Sequence, residues 1–411
     1  MIQNIKISDK EHDQFVKEHS NGDMCQLSSW GKVKQAFGWK WSRVSVGTDA
    51  QVTGAASLLY KEIPLIKRSI CYVSRGFVVD WFDDESVKAL LEAVKEDAKK
   101  HRAFLIKIDP DIEESTAGLL EQIESFGFKH QGFTLGFKEA AQPRFHMVTD
   151  INKNEKELLK SFQGRTRTNV RKANKYGFDL EDAPESKMSI FYDIMKVTGD
   201  RDGFLIRDLS YFKRIYQEMN PPHEAKLFLV KLNPDQAIKG LEQDVKNRQK
   251  EQKNLSKKEI SEGILQQLEQ IEQSIANTYD LIESLKQAEN ESEETIYLSG
   301  AIYVQCGRKA YYLYGASSNQ FRDLLPNYFM QWEMMRYAQE QGCLSYDFGG
   351  VSGMEGHPED DAPGLFEFKK RWGANKRARI GEFDYVLSPI LTKLYRFAFS
   401  LRARLIQLRN R

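Results

Sequence analysis

At 411 residues the chain is too long for one compact core and suits two domains plus an accessory element. Apolar residues at 41% and charged residues at 29% describe a soluble globular protein, and no run of about 18 apolar residues offers a membrane span. Basic residues number 60 and acidic residues 59, so the formal net charge of +1 excludes a uniformly basic nucleic-acid binder and confines any polyanion contact to local patches.

The opening MIQNIKISDKEHDQF lacks the basic-then-apolar order of a signal peptide. Cys25, Cys71, Cys306 and Cys343 are scattered, with no CxxC or Cys/His grouping, so neither a disulfide framework nor a zinc site is expected. Both features favour the cytoplasm. A helix over Glu11–His19 precedes the turn Ser20–Gly22 and the segment LSSWGKVKQAFGW. Strands are expected at Trp41–Val46, Val52–Tyr60 and Ile70–Val73, a helix at Asp84–His101, and a strand at Ala103–Ile108 running into Asp109–Pro110. A helix over Thr116–Phe126 and a strand over Phe133–Phe137 complete a mixed α/β unit. The second half repeats the plan loosely, with helices at Lys153–Phe162, Arg165–Tyr176, Met188–Thr198 and Leu209–Glu218 and a strand at Ala225–Val230.

Between Pro234 and Glu294 aromatic residues almost vanish, and Gln, Glu, Lys and Asn dominate. Ile238, Leu241 and Val245, then Ile264, Leu268, Ile271, Ile275, Ile282 and Leu285, keep a helical seam in which Thr278 fills one place. A break near Asn254–Gly263 predicts two antiparallel coiled-coil helices, an arm grown from a domain whose flanking strands are neighbours. A structural hairpin and a binding arm for tRNA or a protein partner both remain open for it.

Tyr297–Val304 and Ala310–Tyr314 read as strands joined at Gly307, followed by a helix over Pro326–Glu340 with Pro in its first turn and Gly342 as its stop. Leu344–Phe348 is a short strand entering the Gly349–Gly350 turn, and Leu365–Trp372 is a second helix. The small residues at Gly315–Ser318 and Gly349–Gly353 mark places where backbone can approach a ligand, with Lys369, Lys370 and Arg371 just beyond. In the tail, Leu391, Leu394, Tyr395, Ala398, Leu401, Leu405 and Leu408 share a helical face beside uncompensated Lys and Arg residues. That pattern fits packing on the protein itself, an anionic membrane or RNA.

HExxH, P-loop and GxSxG motifs are missing. Gln51–Ala56 matches a pyrophosphate-binding loop formally, but the sequence continues it as a strand. Arg165, Arg167, Arg171, Lys172 and Lys175 crowd cations into the first half of a helix, where negative charge is normally favoured. A solvated helix face and a phosphate contact are both open there.

The segments WGKVK, SRGFVVD, KIDPD, QPRFHMVTDI, GDRDGFLIRDLSYF, YYLYGASS, YDFGG and LFEFKKRWG occur in this order. As a set, over nearly the whole chain, they resemble the Fem (FemABX) family of peptidoglycan bridge-forming aminoacyltransferases, closest to the type that adds the first bridge residue. The resemblance implies an α/β (α+β) fold of two tandem acetyltransferase-like (GNAT-like) domains. The first would span 1–145, completed by 380–411, and the second 146–379, with a helical hairpin inserted at 234–294. It further implies an aminoacyl-tRNA co-substrate, no cofactor and no metal. The acceptor would be the stem-peptide lysine of lipid II or of UDP-MurNAc-pentapeptide, reached at the inner face of the membrane, with Fem-family proteins as further partners. By the same resemblance Lys369 is the catalytic cation with Phe368 shaping the site. Trp30, Lys34, Arg207 and Tyr211 would contact the phosphate and sugar of the precursor, while Asp109 either engages its stem peptide or caps a turn. Arg165, Arg167, Arg171, Lys172 and Lys175 are candidates for tRNA. Tyr312 and Tyr314 are expected on opposite sides of their strand, so that at most one faces the site. Phe104 stands where some relatives carry Tyr, and a hydroxyl contact is absent there. An ordinary surface position is the plain alternative for Lys369, and a core position for Trp30. An acyl-CoA-dependent N-acyltransferase and a non-catalytic tRNA- or membrane-binding protein are the competing functions.

Overall fold

The computed structural model describes all residues except 64–65, 138, 292–294, 359, 361–362 and 399–411. The chain runs β1 (Gln3–Ile5), α1 (Asp9–Glu18), α2 (Ser28–Ala36), β2 (Lys40–Gly47), β3 (Val52–Ile63), β4 (Arg68–Val73), β5 (Val78–Val79), α3 (Asp84–Lys100), β6 (Ala103–Ile108), α4 (Leu119–Ser125) and β7 (Lys129–His130). It continues through β8 (Phe145–Asp150), α5 (Glu155–Ser161), α6 (Gly164–Ala173), β9 (Phe178–Ala183), α7 (Met188–Asp202), α8 (Leu209–Met219), β10 (Ala225–Leu232), α9 (Pro234–Leu255) and α10 (Glu262–Glu291). Last come β11 (Tyr297–Cys306), β12 (Lys309–Ser317), α11 (Pro326–Glu340), β13 (Ser345–Val351), α12 (Pro363–Lys370), β14 (Asn375–Ala378) and β15 (Phe383–Val386).

These strands form two sheets, ordered β1-β2-β3-β4-β6-β15-β7, with β5 on β3, and β14-β8-β13-β12-β11-β10-β9. Each sheet is antiparallel except for one parallel pair, β4 with β6 and β12 with β13. A parallel pair requires a crossover, and α3 and α11 supply it in the two lobes. The α/β class and two-sheet plan are those expected. The first sheet draws on both ends of the described chain and the second on the stretch between them. After β7 the chain crosses over and lays β8 beside β13, and after β14 it returns to lay β15 between β6 and β7. The first sheet is thus closed by a strand that follows the whole of the second.

Local chemistry explains the elements that anchor this plan. Ser8 and Glu11 form a reciprocal capping box at the start of α1. In α3 the buried Val87, Leu90, Leu91, Val94 and Ala98 follow helical spacing and face the first sheet. The lobes share one apolar core, in which Val16, Leu27, Trp30 and Val33 of the first meet Phe191, Phe212, Ile215 and Ile302 of the second. Between α1 and β10, Lys17 pairs with the buried Glu224 at 2.7 Å.

The insert is a pair of helices, α9 and α10, packed together between the adjacent strands β10 and β11. Ile282 and Leu285 are buried, and Ile264, Leu268, Ile271, Ile275 and Thr278 are the half-buried stripe of an otherwise exposed helix. The expected strand Phe133–Phe137 does not form. Gly132 turns the backbone to φ +90°, Glu139 accepts hydrogen bonds from the N–H groups of Leu135 and Gly136, and Phe133 and Leu135 are half exposed. The edge strand lies earlier, at β7. In the tail, 389–398 is helical, and Tyr395 meets the ring of Phe104 at 5.7 Å. Leu394 is exposed rather than packed with it. The other tail residues singled out, Leu401, Leu405 and Leu408 with the last arginines, lie outside the described residues.

Gly307, in the β11–β12 turn, adopts φ +55°, and a Cβ there would lie 2.0 Å from the carbonyl oxygen of Lys17 in α1. Gly342 also has a positive φ, of +78°, but open space around it. Urea denaturation is expected to show Gly342→Ala costing about 1 kcal/mol, for the left-handed backbone alone. Gly307→Ala should cost at least about twice that, because the lobes must also separate. Equal losses would mean that the lobe contact at Gly307 yields freely.

Candidate active site

The site is built at the seam between the lobes, from two clusters and the strand that joins them. Trp30 and Lys34 are one helical turn apart on α2, which packs against α8. Lys34 Nζ sits 4.4 Å from the Trp30 ring centre and donates to the Tyr211 hydroxyl at 3.2 Å. Arg207, exposed just before α8, lies 5.4 Å from the Tyr211 ring, and Tyr314 of β12 meets that ring edge-on at 6.3 Å. Burial, with the charge of Arg207 adding to it, lowers the Lys34 pKa, whereas the neighbouring Tyr314 raises it. Trp30, Lys34, Arg207, Tyr211 and Tyr314 therefore come together. Trp30 is also a core residue, 5% exposed, so its plain and functional readings coincide. Two cations over aromatic faces, one partly buried and one open to solvent, suit an anion attached to a ring.

The second cluster surrounds Lys369. This residue is on the last turn of α12, where the carbonyl ends of the helix favour a cation. It is 5% exposed, which removes the surface-lysine alternative. Its Nζ donates to the Gly350 carbonyl at 2.7 Å, and it makes no ion pair among the described residues. Burial lowers its pKa to about 8, with Asp347 acting in the opposite sense. Gly349 takes φ +83°, and a Cβ there would stand 3.7 Å from the ammonium, so the glycine turn lets backbone approach the cation. Phe348 is 6.3 Å from both Phe368 and Trp372 and 6.1 Å from Tyr312, which together form an aromatic wall.

Strand β12 joins the clusters. Tyr314 belongs with Tyr211 and Phe212, and Tyr312 with Phe348, so the two tyrosines do face opposite sides. The cause is not the one expected, because residues two apart share a face in a regular strand. Ile302 pairs with Tyr314 and Tyr303 with Tyr312, which leaves Leu313 as an extra residue. This bulge turns the tyrosines apart. Gln331 of α11, fully buried, accepts from the Tyr346 hydroxyl at 2.9 Å.

Asp109 is buried at the end of β6, where it accepts from the Arg75 N–H at 2.8 Å and from the Tyr72 hydroxyl at 3.1 Å. It caps no helix. Burial raises its pKa to about 6 despite the nearby Arg75 guanidinium. On the second sheet, His146 lies 2.8 Å from Asp347. Burial and the charge of Arg379 bring the imidazole down to about 4 and keep it neutral, although Asp347 pulls the other way. Burial works against ionisation of Asp347, but the His146 hydrogen bond, Arg379 and the Gly349 N–H hold it well below the usual carboxylate range. Asp111 is likewise held ionised against burial by Arg379 and Lys309. These last residues line a cavity of about 710 Å³ at the starts of β12 and β13. None of the sequence-predicted site residues lines that cavity.

The basic helix is divided in its duties. Arg167 donates to the carbonyls of Lys160 and Phe162 at the end of α5, and that use explains a cation early in α6. Lys172 lies 5.7 Å from the Tyr176 ring. Arg165, Arg171 and Lys175 are exposed. Sequence reasoning missed Arg75, His146, Asp347 and Gln331. The one local signal among them was the acidic residue two places before the Gly349–Gly350 pair, a turn-forming arrangement.

Comparison with known proteins follows the same lines. Residues 7–399 match the model of the FemAB family. The lipid II:glycine glycyltransferase of Staphylococcus aureus strain USA300 is 44% identical over 402 residues, covering 96% of this chain and 95% of that protein. Its counterpart in strain MSSA476 is also 44% identical. A crystal structure of FemX, again 44% identical, superimposes with a TM-score of 0.83 over 95% of this chain and 99% of that one.

A lysine whose folded-state pKa of about 8 lies below its ordinary 10.5 releases its proton first from the folded state, so its burial cost is full below about 8 and fades as pH rises toward 10.5. Lys369→Met at pH 7 is therefore expected to unfold at the same temperature as the parent or higher. The difference should close as the pH is raised through that window. A melting temperature several degrees lower at pH 7 would make Lys369 a structural residue instead.

Proposed function

Because the chain belongs to the FemAB family, we propose that it is a glycyltransferase acting on lipid II. In this reading glycine passes from aminoacyl-tRNA to the ε-amine of the stem-peptide lysine, as the first residue of a peptidoglycan bridge. The glycine and lipid II parts rest on the name of the staphylococcal relative, and the tRNA donor and lysine acceptor on what the resemblance to the Fem family implies. The observation that carries the reading is Lys369, a buried ammonium that spends one of its three N–H groups on a backbone carbonyl and, among the described residues, faces no carboxylate at ion-pair distance.

The reaction is aminolysis of an ester. The neutral lysine amine attacks the ester carbonyl, a C–N bond forms, and negative charge gathers on the carbonyl oxygen. The C–O bond to the tRNA ribose then breaks, and the proton lost by the amine ends on the departing ribose oxygen. A fixed ammonium in a dry site lowers the energy of that oxyanion far more than it would in water. With a pKa of about 8, Lys369 is roughly nine-tenths protonated at pH 7 and fit for this task. Phe368 and Phe348 keep water from competing with the amine. Lys34 and Arg207 would hold the diphosphate of the precursor, with Trp30 and Tyr211 against a sugar face.

Arg165, Arg171 and Lys175 are free to meet tRNA phosphates along α6. Among the described residues no helix is long and apolar enough to cross a membrane. Lipid II would then be met by peripheral contact at the inner leaflet, with related FemAB proteins as partners in extending the bridge.

Incubation of the protein with a mixture of charged tRNAs and lipid II, followed by mass spectrometry, is expected to show a product heavier by one glycyl residue. Lys369→Met should abolish it, and Lys34→Ala and Arg207→Ala should each raise the KM for the acceptor about tenfold with a smaller effect on kcat. Lipid II recovered unmodified, or carrying a different residue, would refute the assignment in whole or in its glycine part. In a second measurement, kcat/KM should rise with pH as the acceptor amine loses its proton and level off above about 8, where Lys369 loses its charge, and Lys369→Arg should move that break to higher pH.

A further inference from the structure

Lys369 is held by a turn that is itself held from the opposite lobe. In the first lobe Arg75 lies against Asp109, with Nη1 3.4 Å from the carboxylate and the backbone N–H 2.8 Å from it. The guanidinium then reaches across the seam. Its Nη2 donates to the Pro143 carbonyl at 2.9 Å and to His146 Nε2 at 3.1 Å. An arginine only donates, so Nε2 of His146 accepts and the ring hydrogen is on Nδ1. Nδ1 gives that hydrogen to Asp347 Oδ2 at 2.8 Å. The other oxygen of Asp347 accepts the Gly349 N–H at 2.6 Å, and the next carbonyl, of Gly350, accepts Lys369 Nζ at 2.7 Å. A second tether runs in parallel, because Pro143 packs so closely on Gly350 that a Cβ there would lie 2.4 Å from the ring.

Arg75, Asp109, Asp347 and Lys369 are all 6% exposed or less. Charged groups at such depth are costly, and a well-packed apolar set is often as stable, so gain in stability is a weak account of them. What the series does achieve is a fixed geometry across a seam, each bond determining the direction of the next. We propose that Arg75 and His146 are positioning residues that tie the buried carboxylate Asp109 of the first lobe to the Gly349–Gly350 turn, and so hold Lys369 in register with the lobe whose Trp30 and Lys34 would receive the acceptor. This rests on the transfer reaction proposed above. It makes the two lobes partners in one geometric task. A misplacement of about 1 Å at a reacting centre can cost about a hundredfold in rate.

Two variants separate positioning from bulk. His146→Phe keeps a ring but neither hydrogen bond, while His146→Gln keeps one acceptor for Arg75 and one donor for Asp347. In the transfer assay His146→Phe is expected to lower kcat at least tenfold with the acceptor KM changed less than about threefold, and His146→Gln to restore most of it. A loss that the glutamine does not rescue, or one carried by KM, overturns the proposal. An independent readout needs no substrate: brief acetylation with dilute acetic anhydride, with Lys369 labelling measured by mass spectrometry against the exposed Lys370. His146→Phe should raise the labelling of Lys369 at least fivefold and His146→Gln should leave it near the parental level. Parental labelling in folded His146→Phe overturns the link whatever reaction the enzyme performs. Raised and rescued labelling in a protein that transfers nothing to lipid II would uphold the link and refute the function. Should His146→Phe fail to fold, Arg75→Lys takes its place, since a lysine keeps a charge beside Asp109 but cannot span Pro143 and His146 together.

Discussion

The structure turns on an ammonium group kept out of water with, among the described residues, no counter-ion beside it. Taking a charge from solvent into a medium of low dielectric is expensive, and a lysine so placed tends to give up its proton. Lys369 keeps a pKa of about 8, and the reasons are visible around it: one backbone carbonyl in direct contact, the carbonyl end of a helix, and an ionised Asp347 farther off. A closer carboxylate would stabilise the cation and cancel its field. The chain holds Asp347 to His146 and the Gly349 N–H instead, near enough to sustain the charge and too engaged to neutralise it.

That compromise depends on the lobes behaving as one body. Their common apolar core includes Trp30 and Tyr211, residues that also flank Lys34. A shift between the lobes would therefore disturb that group of rings and cations as well as the packing. The bulge in β12 has a similar double effect. It sends Tyr314 toward that group of rings and Tyr312 toward Lys369, so one strand contributes to both halves of the site without any loop between them.

Much of this was legible in the residues because the relevant signals are local. Pro326 and Gly342 punctuate α11, and Ala103–Ile108 is an apolar run of strand length ended by Asp109–Pro110. Trp30 and Lys34 came from the resemblance alone, since no helix was expected over the segment that carries them. The remainder was not legible, because the partners are remote in the chain. Arg75 and His146 are separated by 71 positions, and His146 and Asp347 by 201. No periodicity encodes a contact of that kind. Strands β8 and β15 were missed for the same reason: each is short, and its partners in the sheet are far away in the chain. At Phe133–Phe137 the alternation suggested a strand, but the left-handed backbone at Gly132 and the Glu139 cap prevailed. Resemblance supplied Lys369, whose burial no sequence pattern foretold.

The late arrival of β15 bears on how the chain is made. A ribosome releases residues in order, and the edge of β6 that receives β15 stays open until residue 383 has emerged. For most of synthesis the first lobe is thus an unfinished sheet with a row of unpaired amide and carbonyl groups, the kind of edge on which nascent chains aggregate. A premature stop anywhere before β15 would release a polypeptide whose first sheet can never close, even though nearly all the residues of that lobe are present. The cell's quality-control machinery would see such truncated products as exposed strand edge rather than as a smaller, still folded protein.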